Sequence, residues 1–162
     1  MIAEKKGSIV DATEDVIAHQ CNCITTDVKG VAEVIFKKYP WSNVYLGRPK
    51  NRDVPGTITV SQSPSSQVET KTAKQVINMF GQRYPGGPKD YETKDQRVAW
   101  FQACLDKMTI HFSQSPNNSS IAFPHGIGCK MAGGNWSIYL EMLKTFASKN
   151  PRIKVVIYNH EA

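Results

Sequence analysis

The sequence has few cysteines and no long apolar run, and both absences limit what the protein can be. None of its 162 residues lies in an apolar stretch long enough to cross a bilayer. The segment 1–6 carries charges where an export signal requires apolar residues. The four cysteines include no pair with the spacing of a zinc site. We therefore expect reduced thiols, no membrane association, no metal and a cytoplasmic or nuclear location.

Acidic side chains are fewer than basic ones. The chain has 20 lysine and arginine residues against 14 aspartate and glutamate residues, which gives a net charge of +6 and a pI near 9.2. A basic surface favours an anionic partner, such as a nucleotide, a phosphate or RNA, and a solvated surface without a ligand is the alternative. The length fits one domain, which we expect to span 1–162 and to be a monomer.

Apolar periodicity predicts strands that alternate with helices along the chain. Strands are predicted at 16–21, 57–60, 74–80, 120–123 and 153–158, and helices at 30–38, at 93–108 and from Trp136 onward. This order indicates an α/β domain with a largely parallel central sheet. Ligands of such sheets bind beyond the carboxyl ends of the strands.

Three irregular segments follow predicted strands at that edge of the sheet. They are 22–30, 81–91 and 126–134. The first and the last lead into helices, whose N-termini carry unpaired N–H groups that attract phosphate. Gly126, Gly128, Gly133 and Gly134 let the backbone approach an anion without a Cβ clash. We expect these glycines to form a phosphate cradle, with Gly30 in the same role at the first helix; tight turns without a ligand are the alternative.

Three stretches resemble the signatures of macro domains. They are IAHQCNC at 17–23 followed by GVA at 30–32, NMFGQ at 78–82, and GIGCKMAGGNW at 126–136. The Gly-Cys pair with a nearby tryptophan is similar to the branch that contains the yeast ADP-ribose 1''-phosphate phosphatase and the terminal ADP-ribose glycohydrolases. The resemblance implies a three-layer α/β/α sandwich around a mixed sheet, with a pocket for ADP-ribose.

The resemblance also implies roles for particular residues. Asn22 would bond the distal ribose, and His19 or Asp90 would transfer protons during catalysis. The implied ligand-binding residues are Ser8, Ile9, Asn22, Gly30, Val31, Phe80, Gly81, Gly126, Ile127, Gly128, Cys129, Lys130, Met131, Ala132 and Gly133. The alternatives are a buried, hydrogen-bonded strand histidine at 19, a turn-capping asparagine at 22 and a helix-approach aspartate at 90.

The implied function is binding of ADP-ribose or ADP-ribose 1''-phosphate, with hydrolysis of the phosphate or of ADP-ribose from a protein, and without a cofactor. Three positions depart from the family pattern. Ser8 stands where many macro domains have aspartate, and Lys29 and Lys130 stand where glycine is usual. The lysine–aspartate pair of the glutamate-ester hydrolases is absent, so we expect no lysyl adduct. A non-catalytic ADP-ribose reader and an RNA- or poly(A)-binding domain are the alternative functions.

Overall fold

The strands form one mixed sheet with helices on both faces. The computed structural model describes residues 2–64 and 73–160. The strands are β1 (Ile2–Lys6), β2 (Val16–Gln20), β3 (Ile58–Gln62), β4 (Gln75–Met79), β5 (Ser120–Pro124) and β6 (Lys154–Asn159). The helices are α1 (Gly30–Lys38), α2 (Lys94–Ser113) and α3 (Trp136–Lys149). None of the described helices is long and apolar enough to span a membrane.

The sheet order is β1-β6-β5-β2-β4-β3, and only the β3–β4 pair is antiparallel among the described strands. This arrangement confirms the predicted α/β/α fold with a mixed, largely parallel sheet. Because β5, β2 and β4 are parallel neighbours, their carboxyl ends meet at one edge. The segments that follow these strands therefore surround one place on the protein surface.

Successive side chains of the strands pack into two apolar clusters, one on each face of the sheet. Val16 of β2 packs in one cluster with Phe101 of α2 and Leu143 of α3. The next residue, Ile17, packs on the other face with Ile35 of α1. This alternation follows from the period of two along a strand. It explains why apolar residues occupy successive positions in β2, such as Val16 and Ile17, since both faces of this strand are covered.

Strand β1 was missed by the sequence analysis. Residues 3–6 have exposed side chains, so the strand has no apolar face that a periodicity search can detect. Its backbone pairs in parallel with β6, from Ile2 opposite Val155 to Lys6 opposite Asn159. At the opposite edge, β3 continues to Gln62, two residues beyond the predicted end. The polar, serine-rich sequence of 61–72 predicts a turn or exposed hairpin, and most of this segment lies outside the described residues.

His19 lies in the core between the sheet and α1. Its side chain is fully buried, and its ring contacts Phe36 edge-on at 5.2 Å between centroids. Its Nε2 lies 2.7 Å from Oδ1 of Asn78, the residue opposite it in β4. Burial lowers the pKa of the His19 imidazole to about 4. The position matches the alternative of a neutral, hydrogen-bonded strand histidine.

The neutral core position of His19 predicts a loss of stability in mild acid. Between about pH 6.5 and pH 4 the unfolded chain binds a proton at His19 that the folded chain does not bind, so the free energy of unfolding falls as pH drops through this window. The slope from this group approaches about 1.4 kcal/mol per pH unit. Urea unfolding at about pH 7.5 and about pH 5 measures it. The free energy of unfolding should fall less between these two pH values in His19→Gln than in wild type. An equal fall in both proteins would contradict the neutral state of His19.

Candidate functional site

A cleft of about 430 Å³ opens beyond the carboxyl ends of β2 and β4. Three loops surround it: the first loop (21–29, before α1), the middle loop (80–93, before α2) and the last loop (125–135, before α3). The cleft is lined by Gln20, Asn22, Thr25, Asp27, Lys29, Gly30, Val31, Ala32, Tyr45, Gln82, Pro85, Gly86, Lys130, Met131 and Ala132. Its volume is in the range of small-molecule binding sites.

Asn22 presents hydrogen-bond donors to the cleft. Its Oδ1 accepts from the backbone N–H groups of Ile24 and Thr25, both at 3.0 Å. The same oxygen accepts from Nη2 of Arg48 at 2.9 Å. Among the described residues, nothing accepts from the Asn22 side-chain N–H₂ group. A ligand that contacts Asn22 therefore meets a donor, which suits a hydroxyl or phosphate oxygen.

Helix α1 begins at the cleft without a side-chain cap. Lys29 is its N-cap residue and makes no capping hydrogen bond. By contrast, Thr93 and Gln96 form a capping box on α2, and Asn135 caps α3. The first N–H groups of a helix have no intrahelical partner, and they carry partial positive charge. The segment 30–32, which lines the cleft, therefore offers donors suited to an anion.

Two glutamines at the floor of the cleft form an ordered pair. Nε2 of Gln82 donates to the backbone carbonyl of Tyr84 at 2.8 Å. This bond directs Oε1 of Gln82 toward Gln20, whose Nε2 donates to it at 2.7 Å. Oε1 of Gln20 is then buried without a hydrogen-bond partner among the described residues. The amide nitrogen is thus the polar group that Gln20 can offer to a ligand, and it is again a donor.

The charged side chains of the cleft are Asp27, Lys29 and Lys130, and all three are exposed. Asp27 carries the one carboxylate among the described residues that line the cleft. Within the described residues, no group of three or more His, Cys, Asp or Glu residues is placed to hold a metal ion. Hydrogen-bond donors therefore predominate at the floor of the cleft. Among the described lining residues, Asp27 at the rim is the single carboxylate that could transfer a proton.

At three glycines of the last loop, an added Cβ would meet atoms of the protein itself, and the predicted contact of this loop with a phosphate stays a prediction. A Cβ on Gly128 would overlap the ring of Tyr139, and one on Gly134 would lie 2.5 Å from the carbonyl oxygen of Gly128. A Cβ on Gly126 would lie 2.8 Å from Cε of Lys130. Internal packing therefore requires glycine at 128 and 134, whereas at 126 the neighbour is the end of a flexible lysine side chain and the φ of +78° is what favours glycine. The cleft is instead lined by residues 130–132 of the same loop.

The structure brings together part of the predicted site. Six predicted ligand-binding residues line the cleft: Asn22, Gly30, Val31, Lys130, Met131 and Ala132. The others lie elsewhere: Ser8, Ile9, Phe80, Gly81, Gly126, Ile127, Gly128, Cys129 and Gly133. His19 and Asp90 also lie outside the lining, the first in the core and the second exposed. The roles of these residues toward a ligand stay predictions.

Several lining residues were missed. Gln20 ends β2 and Gln82 follows β4 closely, so polar residues at the carboxyl ends of neighbouring strands were a usable signal. Asp27 lies in a loop that had been identified, but its charge was not considered. Tyr45 gives no local signal, because it reaches the site through a hydrogen bond between its hydroxyl and the backbone N–H of Asn22, at 2.8 Å.

No protein-family model and no curated protein matches the sequence. Solved structures do resemble it. The macrodomain of Mycobacterium tuberculosis DarG has a TM-score of 0.77 at 21% identity, over 98% of this chain and 97% of that chain. Thermosipho africanus DarTG, solved in complex with ADP-ribose, has a TM-score of 0.74 at 17% identity, over 98% of this chain and 42% of that chain. A mutant of the Oceanobacillus iheyensis macrodomain has a TM-score of 0.62 at 18% identity, over 99% of this chain and 82% of that chain. The chain therefore has the macrodomain fold.

The packing of the last loop predicts unequal effects of two glycine substitutions. Gly134→Ala should destabilise the protein by about 1–3 kcal/mol, because its Cβ meets a backbone oxygen and the Tyr139 ring. Gly87→Ala is the matched control, since its Cβ would meet no atom within 4 Å. We expect the control to change stability by no more than about 0.5 kcal/mol. Urea denaturation compares the two, and equal effects would contradict the packing explanation.

Proposed function

We propose that the cleft binds ADP-ribose. The observation that carries this proposal is the pairing of the uncapped α1 N-terminus with the amide donors of Asn22 at one end of a macrodomain sheet. Helix N–H groups suit a pyrophosphate, and the side-chain N–H₂ of Asn22 suits a ribose hydroxyl oxygen. The Thermosipho africanus protein of the same fold, solved with ADP-ribose, supports this choice of ligand.

In this proposal the two phosphates lie between the first and last loops. The backbone of 30–32 contacts one side of the pyrophosphate, and the backbone of 130–132 contacts the other. Lys29 and Lys130 add positive charge at the rim. The distal ribose lies near Asn22 and Gln20, whose side chains supply donors. ADP-ribose 1''-phosphate suits the same donors, and so does ADP-ribose attached to a protein.

The Asn22 donor is tested by Asn22→Asp. The aspartate keeps the oxygen that accepts from Ile24, Thr25 and Arg48, but it replaces the donor by a negative oxygen. We expect affinity for ADP-ribose to fall by about 10-fold to 100-fold, the equivalent of about 1.4–2.8 kcal/mol. Isothermal titration calorimetry measures it against wild type.

Thr26→Ala is the control for this titration, because Thr26 is an exposed residue of the same loop that does not line the cleft. Its affinity should equal that of wild type. Unchanged binding by Asn22→Asp would contradict the role of Asn22. If wild type gave no heat with millimolar ADP-ribose, or bound poly(A) that ADP-ribose did not displace, the proposed ligand would be wrong.

Hydrolysis is the second candidate function, and Asp27 is the observation that favours it. Asp27 lines the cleft at its rim, in the same loop as Asn22. In the reaction it would take a proton from a water molecule that attacks the anomeric carbon or the phosphorus of the 1''-phosphate. The bond from that atom to the leaving oxygen would break, and the proton would pass to the leaving oxygen. The burial of His19 beneath α1 and its absence from the lining residues favour Asp27 over His19 for this role.

Turnover can be followed on ADP-ribose 1''-phosphate and on an ADP-ribosylated protein. Asp27→Asn should slow the reaction by about 100-fold or more, because the amide cannot accept the proton. His19→Gln should retain the wild-type rate in the folded protein. The reverse ranking would restore the role first predicted for His19. Binding without turnover of either substrate would identify a reader.

A further inference from the structure

Arg48 is buried behind the first loop and does not line the cleft. Its side chain is 1% exposed. Nη1 donates to the backbone carbonyl of Asn22 at 2.8 Å, and Nη2 donates to Oδ1 of Asn22 at 2.9 Å. Nη2 also donates to the carbonyl of Thr25 at 2.5 Å. One guanidinium thus holds both the backbone and the side chain of the residue assigned to the ribose.

We propose that Arg48 is a positioning residue, which fixes the Asn22 amide so that its N–H₂ group faces the ligand. A guanidinium has donors but no acceptor, so only the amide oxygen of Asn22 can face it. If the amide turned over, its N–H₂ group would meet Arg48 and the N–H groups of Ile24 and Thr25. These contacts therefore hold the amide in the orientation that ligand binding requires, which lowers the ordering cost of binding.

Two neighbours hold Arg48 in this position. The ring of Tyr45 lies 4.1 Å from the guanidinium carbon, and its hydroxyl accepts from the backbone N–H of Asn22. Asp53, itself buried, accepts from Nη1 of Arg48 at 3.2 Å and neutralises its charge. A buried ion pair is rarely more stable than well-packed apolar residues in its place. Its contribution here is the fixed geometry of Asn22.

The consequence for binding concerns the terminal ribose, and it rests on the proposed function. ADP-ribose has this ribose and ADP lacks it, while both carry the pyrophosphate. If Arg48 acts through Asn22, replacing Arg48 should lower the affinity for ADP-ribose and leave the affinity for ADP unchanged. A residue that only maintains the fold would affect both ligands equally. The ratio of the two affinities is therefore the diagnostic quantity.

The experiment is calorimetric titration of Arg48→Lys with ADP-ribose and with ADP. Lysine keeps a positive charge beside Asp53 but loses the planar fork. We expect the affinity for ADP-ribose to fall about 10-fold and the affinity for ADP to stay unchanged. Arg52→Lys is the matched control: Arg52 also pairs with Asp53, at 3.0 Å, and makes no contact with Asn22. It should match wild type with both ligands.

If Arg48→Lys lost affinity equally for both ligands, or lost none for either, the positioning role would be overturned. A further loss when Arg48→Lys is added to Asn22→Asp would also overturn it, because Arg48 is expected to act only through the Asn22 donor. The side-chain amide signals of Asn22 in an NMR spectrum give a readout without ligand, and they should shift in Arg48→Lys and stay unchanged in Arg52→Lys. Absence of ADP-ribose binding by wild type would instead overturn the proposed function, and the NMR comparison would still decide whether Arg48 orients Asn22.

Discussion

The walls of the cleft depend on a buried ion pair between Arg97 and Glu92. Their side chains are 2% and 1% exposed, and Nη2 of Arg97 lies 2.7 Å from Oε2 of Glu92. The same guanidinium donates to the carbonyls of Tyr84 and Gly86 in the middle loop and of Ala132 in the last loop. The two loops have little regular structure of their own, and this side chain joins them by hydrogen bonds to carbonyls of both.

Arg48 performs the corresponding task for the first loop. Both arginines are nearly inaccessible, both are paired with a buried carboxylate, and both donate to backbone carbonyls of the loops. Loop carbonyls that are removed from water need donors, and helices and strands cannot supply them there. The guanidinium supplies several in a fixed plane. The two arginines therefore hold the loops of the cleft from behind its lining residues.

The sequence allowed the sheet-and-helix order and the place of the site to be predicted, because both depend on local patterns. Apolar runs such as 16–21 mark strands buried on both faces, and the loops after them must share an edge. Tyr45, Arg48 and Arg97 could not be predicted, since their roles come from contacts with residues far away in the chain. Gly128 was identified correctly as a position where no side chain fits, but the occupant is Tyr139, which lies eleven residues later.

The contrast between His19 and Asp27 shows what the fold alone leaves undecided. A histidine next to the binding motif matches a catalytic pattern by sequence, yet strand alternation turns it toward α1, where it bonds Asn78 and is neutral. The cleft itself offers amide and backbone donors with one carboxylate at its rim. Donors bind an anionic ligand in its ground state, whereas hydrolysis needs a group that accepts a proton. Under the proposed function, the choice between a reader and an enzyme depends on whether Asp27 reaches the reacting water.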